Sequence, residues 1–110
     1  LSLHDALPIY LEIAERWKND IVIAERCVNK YGNGEMLPQS VFDSAVSITF
    51  NVGCGAVSKS TMFKYLRAKQ YEKACGEFPR WVYASGKKLA GLVVRREKEK
   101  ALCLADLKLP

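Results

Sequence analysis

Residues 38–53 carry the densest run of apolar positions in the chain, and their spacing fits two different elements. One face of a helix would collect Val41, Phe42, Ala45, Val46, Thr49 and Phe50, with Ile48 and Val52 making the opposite face partly apolar. A strand would instead alternate Val46, Ile48, Phe50 and Val52 with polar neighbours. Pro38 suits a first helical turn and Gly53 suits a helix end, so we predict a buried helix.

Apolar residues at spacings of three and four also predict a long amphipathic helix over residues 11–30. This stripe consists of Ala14, Trp17, Ile21, Ala24, Val28 and Tyr31. Gly32 and Gly34 end the pattern. Shorter helical patterns follow around residues 62–66 and 71–78, and a last helix is predicted over residues 89–104, where Arg95 and Glu99 are placed for surface ion pairing. The chain is therefore predicted to be mainly α.

The pattern of a phosphate-binding loop is nearly matched by Gly53, Ser58, Lys59 and Ser60. Ser58, however, stands where that pattern requires glycine. The motif must also follow a buried strand, which only the strand interpretation of residues 46–52 would provide. We therefore interpret this segment as a Gly-rich connection between helices, with Ser58 or Ser60 as the helix cap.

The 110 residues carry a net charge of +5 and are enough for one domain. Such a charge favours an anionic partner, whether nucleic acid, an acidic membrane surface or an acidic cell-wall polymer. Residues 80–88 combine Arg80, Trp81 and Tyr83 with two lysines, a pattern that suits stacking on bases or sugar rings, although composition alone favours Trp81 as an anchor of the core. No apolar run approaches the ~20 residues that span a bilayer.

The four cysteines contain no Cys-x-x-Cys pair, which argues against a zinc site and leaves either free thiols or two disulfides in any of three pairings. Residues 1–9 resemble the translation of a sequencing-library adapter and are expected to be non-native. They include His4, the single histidine. Without it, neither a Ser-His-Asp triad nor a Cys-His pair can form.

Five short segments in order resemble the phage-type lysozymes of glycoside hydrolase family 24. They read IAERC at 23–27, FNVGC at 50–54, FPRW at 78–81, YASGK at 83–87 and GLVVRRE at 91–97. The resemblance implies a lysozyme-like helical lobe with a long inter-lobe helix, residues 10–31 being that helix and residues 32–110 the C-terminal lobe. It also implies that the family's catalytic lobe lies upstream, so the chain is expected to be truncated and no catalytic residue is assigned.

By the same resemblance, the residues expected to bind the amino-sugar chain are Phe50, Asn51, Arg80, Trp81 and Gly86. Asn51 could donate to or accept from an N-acetyl group. Arg95 or Arg96 would face the catalytic acid. Oxidising surroundings would pair Cys75 with Cys103 and Cys27 with Cys54.

The function implied is hydrolysis of peptidoglycan by a phage or prophage enzyme acting in the periplasm or cell wall. The parent protein would cut the bond between N-acetylmuramic acid and N-acetylglucosamine, and this chain alone would be inactive. No cofactor, metal or nucleic acid is expected, and the chain is expected to be a monomer. The alternative from charge and composition is a small basic helical module that binds nucleic acid.

Overall fold

The computed structural model describes the backbone of residues 3–108 and the side chains of residues 17–108. Its helices are α1 (Leu3–Gly32), α2 (Gln39–Val52), α3 (Cys54–Val57), α4 (Thr61–Arg67), α5 (Tyr71–Cys75) and α6 (Ala90–Leu104). Strands β1 (Tyr83–Ala84) and β2 (Lys87–Lys88) form an antiparallel hairpin, and 3-10 turns occupy Gly34–Met36, Phe78–Arg80 and Ala105–Leu107. The mainly α prediction is confirmed. No helix within residues 3–108 is long and apolar enough to cross a membrane.

Helix α2 occupies the centre of the lobe, and the strand interpretation of residues 46–52 was wrong. The buried face is rotated from the predicted one, because Ile48 is fully buried whereas Phe50 is 43% exposed. Two polar side chains share this buried face. The Ser44 and Thr49 hydroxyls donate to the carbonyls of Val41 and Ala45, at 3.0 and 2.7 Å, which satisfies them inside the core.

Both predicted ends of α2 are confirmed, with Pro38 just before its first residue and Gly53 just after its last. The Gly53 N–H donates to the Thr49 carbonyl at 2.8 Å. Its φ of 104° and ψ of 148° are extended rather than left-handed helical, a combination open essentially to glycine alone. This backbone lets α3 begin immediately at a new angle.

Helix α1 is amphipathic over its described side chains, residues 17–32, and the C-terminal part of these packs against the rest of the chain. Ala24, Cys27 and Val28 are buried, while Trp17 is 60% and Ile21 is 43% exposed. The helix contacts α2 and α4. The apolar stripe therefore extends toward the N-terminus beyond Ala24, to positions that the other described residues leave exposed.

A single core joins α1, α2, α4, α5 and α6 around Phe63, Phe78 and Ile48. Two disulfides border it, and both are the expected pairs. Cys27–Cys54 links α1 to the start of α3, and Cys75–Cys103 links α5 to α6.

The segment between Gly53 and α4 rules out a phosphate-binding loop, because it follows a helix and folds into the short helix α3. Ser60 is the cap of α4: its hydroxyl oxygen accepts from the Phe63 N–H at 3.3 Å. Of the two serines proposed for this role, the structure therefore selects Ser60.

Candidate functional site

The hairpin β1–β2 projects from the lobe and ends in a two-residue turn. Tyr83 pairs with Lys88 and Ala84 with Lys87. Ser85 and Gly86 both have positive φ, at 51° and 78°, as required by the turn whose twist matches the hairpin. Gly86 is thus needed for the turn, and its exposure places it at the tip, where any contact with a ligand would be made by backbone.

Trp81 lies between the turn Phe78–Arg80 and the hairpin. Its side chain is half-buried and packs against the core cluster, as expected for a core anchor. Arg80 is exposed, and its Nε lies 3.1 Å from the Glu77 carboxylate, which is only 12% exposed. Together with Ser60 and Thr61, these residues line an open cavity of about 350 Å³.

The end of α2 supplies the other two candidate residues. Phe50 is 43% exposed, and Asn51 is also exposed on the last turn before Gly53. Both side chains are therefore accessible at this end of α2.

Arg96 connects the end of α2 with the segment around Trp81, although its side chain is only 1% exposed. Its Nε donates to the Trp81 carbonyl at 2.7 Å, its Nη1 to Glu99 Oε1 at 2.6 Å, and its Nη2 to Asn51 Oδ1 at 2.5 Å. One guanidinium therefore fixes the end of α2 relative to the segment that enters the hairpin. Asn51 and Trp81 are brought together through this contact, whereas Gly86 lies further out along the hairpin.

The predicted ion pair between Arg95 and Glu99 is present in α6, at 3.5 Å, but its carboxylate is buried and not on the surface as expected. Glu99 is 5% exposed and accepts from the Ser47 hydroxyl at 2.5 Å as well as from Arg96. Arg95 is more exposed, lies 3.5 Å from the same carboxylate, and donates from Nη2 to the Ser47 carbonyl at 3.3 Å. A buried carboxylate needs such partners, because an isolated one would be strongly destabilised by desolvation.

Sequence reasoning missed the roles of Glu77, Glu99 and Ser47. It placed the acidic residues on charged faces, yet both glutamates are largely buried and each is bound by an arginine. The three-residue spacing of Arg96 and Glu99 was the available signal, but that spacing is equally common on solvated helices. Neither carboxylate stands free as a candidate acid, and we assign no catalytic residue.

Comparison with known proteins identifies the family. The model of the family described as phage lysozyme matches residues 10–99, a range that contains every candidate site residue. The chain belongs to the phage lysozyme family. A relative named SAR-endolysin, from Escherichia phage P1, is 33% identical over 107 residues, which cover 87% of this chain and 58% of the relative.

A second relative matches a shorter part of this phage lysozyme, and a solved structure matches nearly the same part as the P1 relative. The endolysin of Bacillus phage B103 is 48% identical over 66 residues, which cover 60% of this chain and 25% of the relative. The crystal structure of the active form of the P1 endolysin Lyz matches with a TM-score of 0.82 and 34% identity, over 89% of this chain and 61% of that one. The chain thus spans little more than half the length of its P1 relative.

Proposed function

We propose that this lysozyme-family chain forms one wall of a peptidoglycan-binding cleft in an endolysin. The parent enzyme would hydrolyse the β-1,4 bond between N-acetylmuramic acid and N-acetylglucosamine. The observation that carries the proposal is the Arg96 contact, which joins exposed Asn51 on α2 to the backbone of half-buried Trp81. An exposed polar side chain that is fixed relative to a segment carrying an aromatic residue suits the binding of an amino-sugar ring.

Exposed groups flank Asn51 and Trp81 on both sides. Phe50 extends the wall along α2, while Arg80 and the backbone of Gly86 extend it toward the hairpin tip. Lys87 and Lys88 add positive charge at the tip, which favours a polymer with carboxylate groups. These five residues, Phe50, Asn51, Arg80, Trp81 and Gly86, remain the proposed substrate contacts.

Hydrolysis of a glycosidic bond requires an acid for the leaving oxygen and a second group on the opposite face of the sugar. We propose that both come from a further lobe packed against this one, with residues 10–31 as the inter-lobe helix and residues 32–110 as the C-terminal lobe. Arg95, which is partly exposed on α6, is better placed than buried Arg96 to face such an acid. The enzyme would be a phage-encoded monomer that acts in the periplasm or cell wall, where its two disulfides persist.

The test is lysis of Gram-negative cells with permeabilised outer membranes. The chain as given is compared with a fusion that carries the N-terminal lobe of the phage P1 endolysin. We expect clearing of the suspension and release of reducing sugar from the fusion only. Activity of the chain alone would mean that a catalytic group lies within these residues.

A binding assay separates this proposal from the nucleic-acid alternative. Purified peptidoglycan and duplex DNA are each offered to the chain at several salt concentrations. Retention on peptidoglycan supports the cleft, whereas strongly salt-dependent binding to DNA alone would contradict it.

A further inference from the structure

The positive charge of the chain is concentrated in residues 59–73, which contain α4 and α5. This segment carries five basic side chains and one acidic side chain, so it accounts for four of the five net charges of the chain. All five basic side chains are exposed. None of the proposed substrate contacts lies in the segment, and its charge therefore acts on something other than the ligand of the cleft.

Two hydrogen bonds place exposed apolar side chains beside this charge. Arg67 Nη1 donates to the Tyr31 carbonyl at 2.8 Å, and the Tyr71 hydroxyl donates to the Met36 carbonyl at 3.4 Å. Met36 is 62% exposed and Tyr31 is 39% exposed, and Lys30 Nζ lies 5.2 Å from the centre of the Tyr31 ring. We call this surface the basic face, and it consists of Lys30, Tyr31, Met36, Arg67, Lys69 and Lys73.

The backbone at Lys69 is unusual for a residue with a side chain. Lys69 follows the last turn of α4 with a φ of 61°, in the left-handed region. Its N–H donates to the Leu66 carbonyl at 3.1 Å, and the Gln70 N–H donates to the Tyr65 carbonyl at 2.9 Å, which closes the helix. Glycine is the usual residue at such a position, so a lysine there is held at a cost in backbone free energy.

Carboxylates also lie near the basic face, but their placement leaves it positive. Asp106 accepts from the Ser40 N–H at 2.9 Å, at the first turn of α2, where the helix dipole favours a negative charge. Glu35 lines a separate cavity beside Asn29. Glu72 is exposed and is the carboxylate that directly opposes the cations.

The basic face and the proposed cleft wall lie at opposite ends of α2. Lys69 and Lys73 line one cavity with Asp106, which binds the backbone of Ser40 at the start of the helix. Asn51 lies on the last turn. A rise of 1.5 Å per residue puts about 17 Å between Ser40 and Asn51, so a partner on the basic face leaves the cleft open.

We propose that the basic face docks this lobe on an anionic phospholipid bilayer. The cations would lie against lipid phosphates, while Met36 and the Tyr31 ring enter the headgroup region. Nucleic acid or a cell-wall polymer would satisfy the charge but would offer no apolar phase to Met36, which is why the observations favour a bilayer. The inference goes beyond the proposed function, because it gives the lobe a second surface that does not contact the sugar chain.

Three variants separate the parts of this surface. Lys69→Gln/Lys73→Gln removes two positive charges from the basic face, and Met36→Gln removes its apolar side chain at similar size. The matched control is Lys87→Gln/Lys88→Gln, which removes the same charge from exposed residues of the hairpin. Thermal melts verify that each variant keeps the fold.

Binding of the whole chain is measured by sedimentation with vesicles of phosphatidylcholine, either pure or with about one-third phosphatidylglycerol. We expect salt-dependent binding to the phosphatidylglycerol vesicles and none to the pure ones. Lys69→Gln/Lys73→Gln should bind about 10- to 30-fold more weakly, and Met36→Gln about two- to fivefold more weakly. The hairpin control should change affinity by less than about threefold. Retention on purified peptidoglycan should be the same for Lys69→Gln/Lys73→Gln as for the unsubstituted chain.

Several results would overturn the inference. One is the absence of binding to phosphatidylglycerol vesicles, and another is an equal loss in the two lysine pairs, which would spread the attraction over the whole surface. Unchanged affinity in Met36→Gln would show that no apolar phase is entered. Binding to duplex DNA without binding to vesicles, weakened by Lys69→Gln/Lys73→Gln, would assign the face to nucleic acid instead.

Discussion

Replacing Arg96 with Met should cause a large loss of stability, because it removes one partner of a buried ion pair. Met keeps much of the side-chain volume but leaves the Glu99 carboxylate, 6% exposed, with only the Ser47 hydroxyl and Arg95 at 3.5 Å. The Trp81 carbonyl and the Asn51 oxygen also lose their donor. Breaking such a pair typically lowers the free energy of unfolding by about 3–5 kcal/mol.

A double variant separates the ion pair from the lost packing. In Arg96→Met/Glu99→Leu, no charge is left buried without its partner, so at least ~2 kcal/mol of the single-variant loss should be recovered. Arg95→Met is the matched control. Arg95 touches the same carboxylate but is 40% exposed, so its removal should lower the free energy of unfolding by less than about 1 kcal/mol.

Urea denaturation followed by circular dichroism gives the free energy of unfolding of these three variants, of the single variant Glu99→Leu and of the unsubstituted chain. Losses in Arg96→Met and Glu99→Leu that simply add in the double variant would refute a coupled buried pair. A loss in Arg95→Met as large as that in Arg96→Met would show that burial does not distinguish the two arginines.

Two further predictions concern the covalent and backbone constraints. Replacing Cys75 and Cys103 with Ser should lower the free energy of unfolding by about 3–4 kcal/mol, because the bridge closes a loop with a sequence separation of 28. Reduction of the unsubstituted chain, which opens both bridges, should cost at least as much, and an unchanged urea midpoint in the Cys-to-Ser variant would contradict the prediction. Gly53→Ala should destabilise by about 1–3 kcal/mol because φ is 104°, whereas Gly55→Ala, which meets no atom within 4 Å, should be neutral or stabilising in a thermal melt.

The elements of this fold were predictable because local signals agree with the tertiary structure. Pro38 and Gly53 delimit α2, and the resemblance to phage lysozymes gave both disulfide pairs. Burial was harder to predict. The apolar positions of α1 have the same spacing at Trp17 as at Val28, yet only Val28 is buried. Burial depends on which element packs against that part of the helix, and the spacing does not show this.

The contacts that join the candidate site residues were not predictable from the sequence. Asn51 and Trp81 are far apart in sequence, and the basic run of α6 gives no sign of which arginine turns inward. Arg95 and Arg96 are neighbours on one helix, about 100° apart around its axis, so one faces the groove beside α2 and the other the interior. Only the packing of α6 against α2 decides between them.

The Cys27–Cys54 bridge has a mechanical consequence for this lobe. It joins α1 covalently to the backbone just beyond Asn51 and Gly53, while buried Ala24 and Val28 fasten the same stretch of α1 by packing. A force on α1 is therefore transmitted directly to the proposed cleft wall at the end of α2. The bridge and the burial of Ala24 and Val28 thus restrain α1 from residue 24 onward, whereas Trp17 and Ile21 before it are exposed.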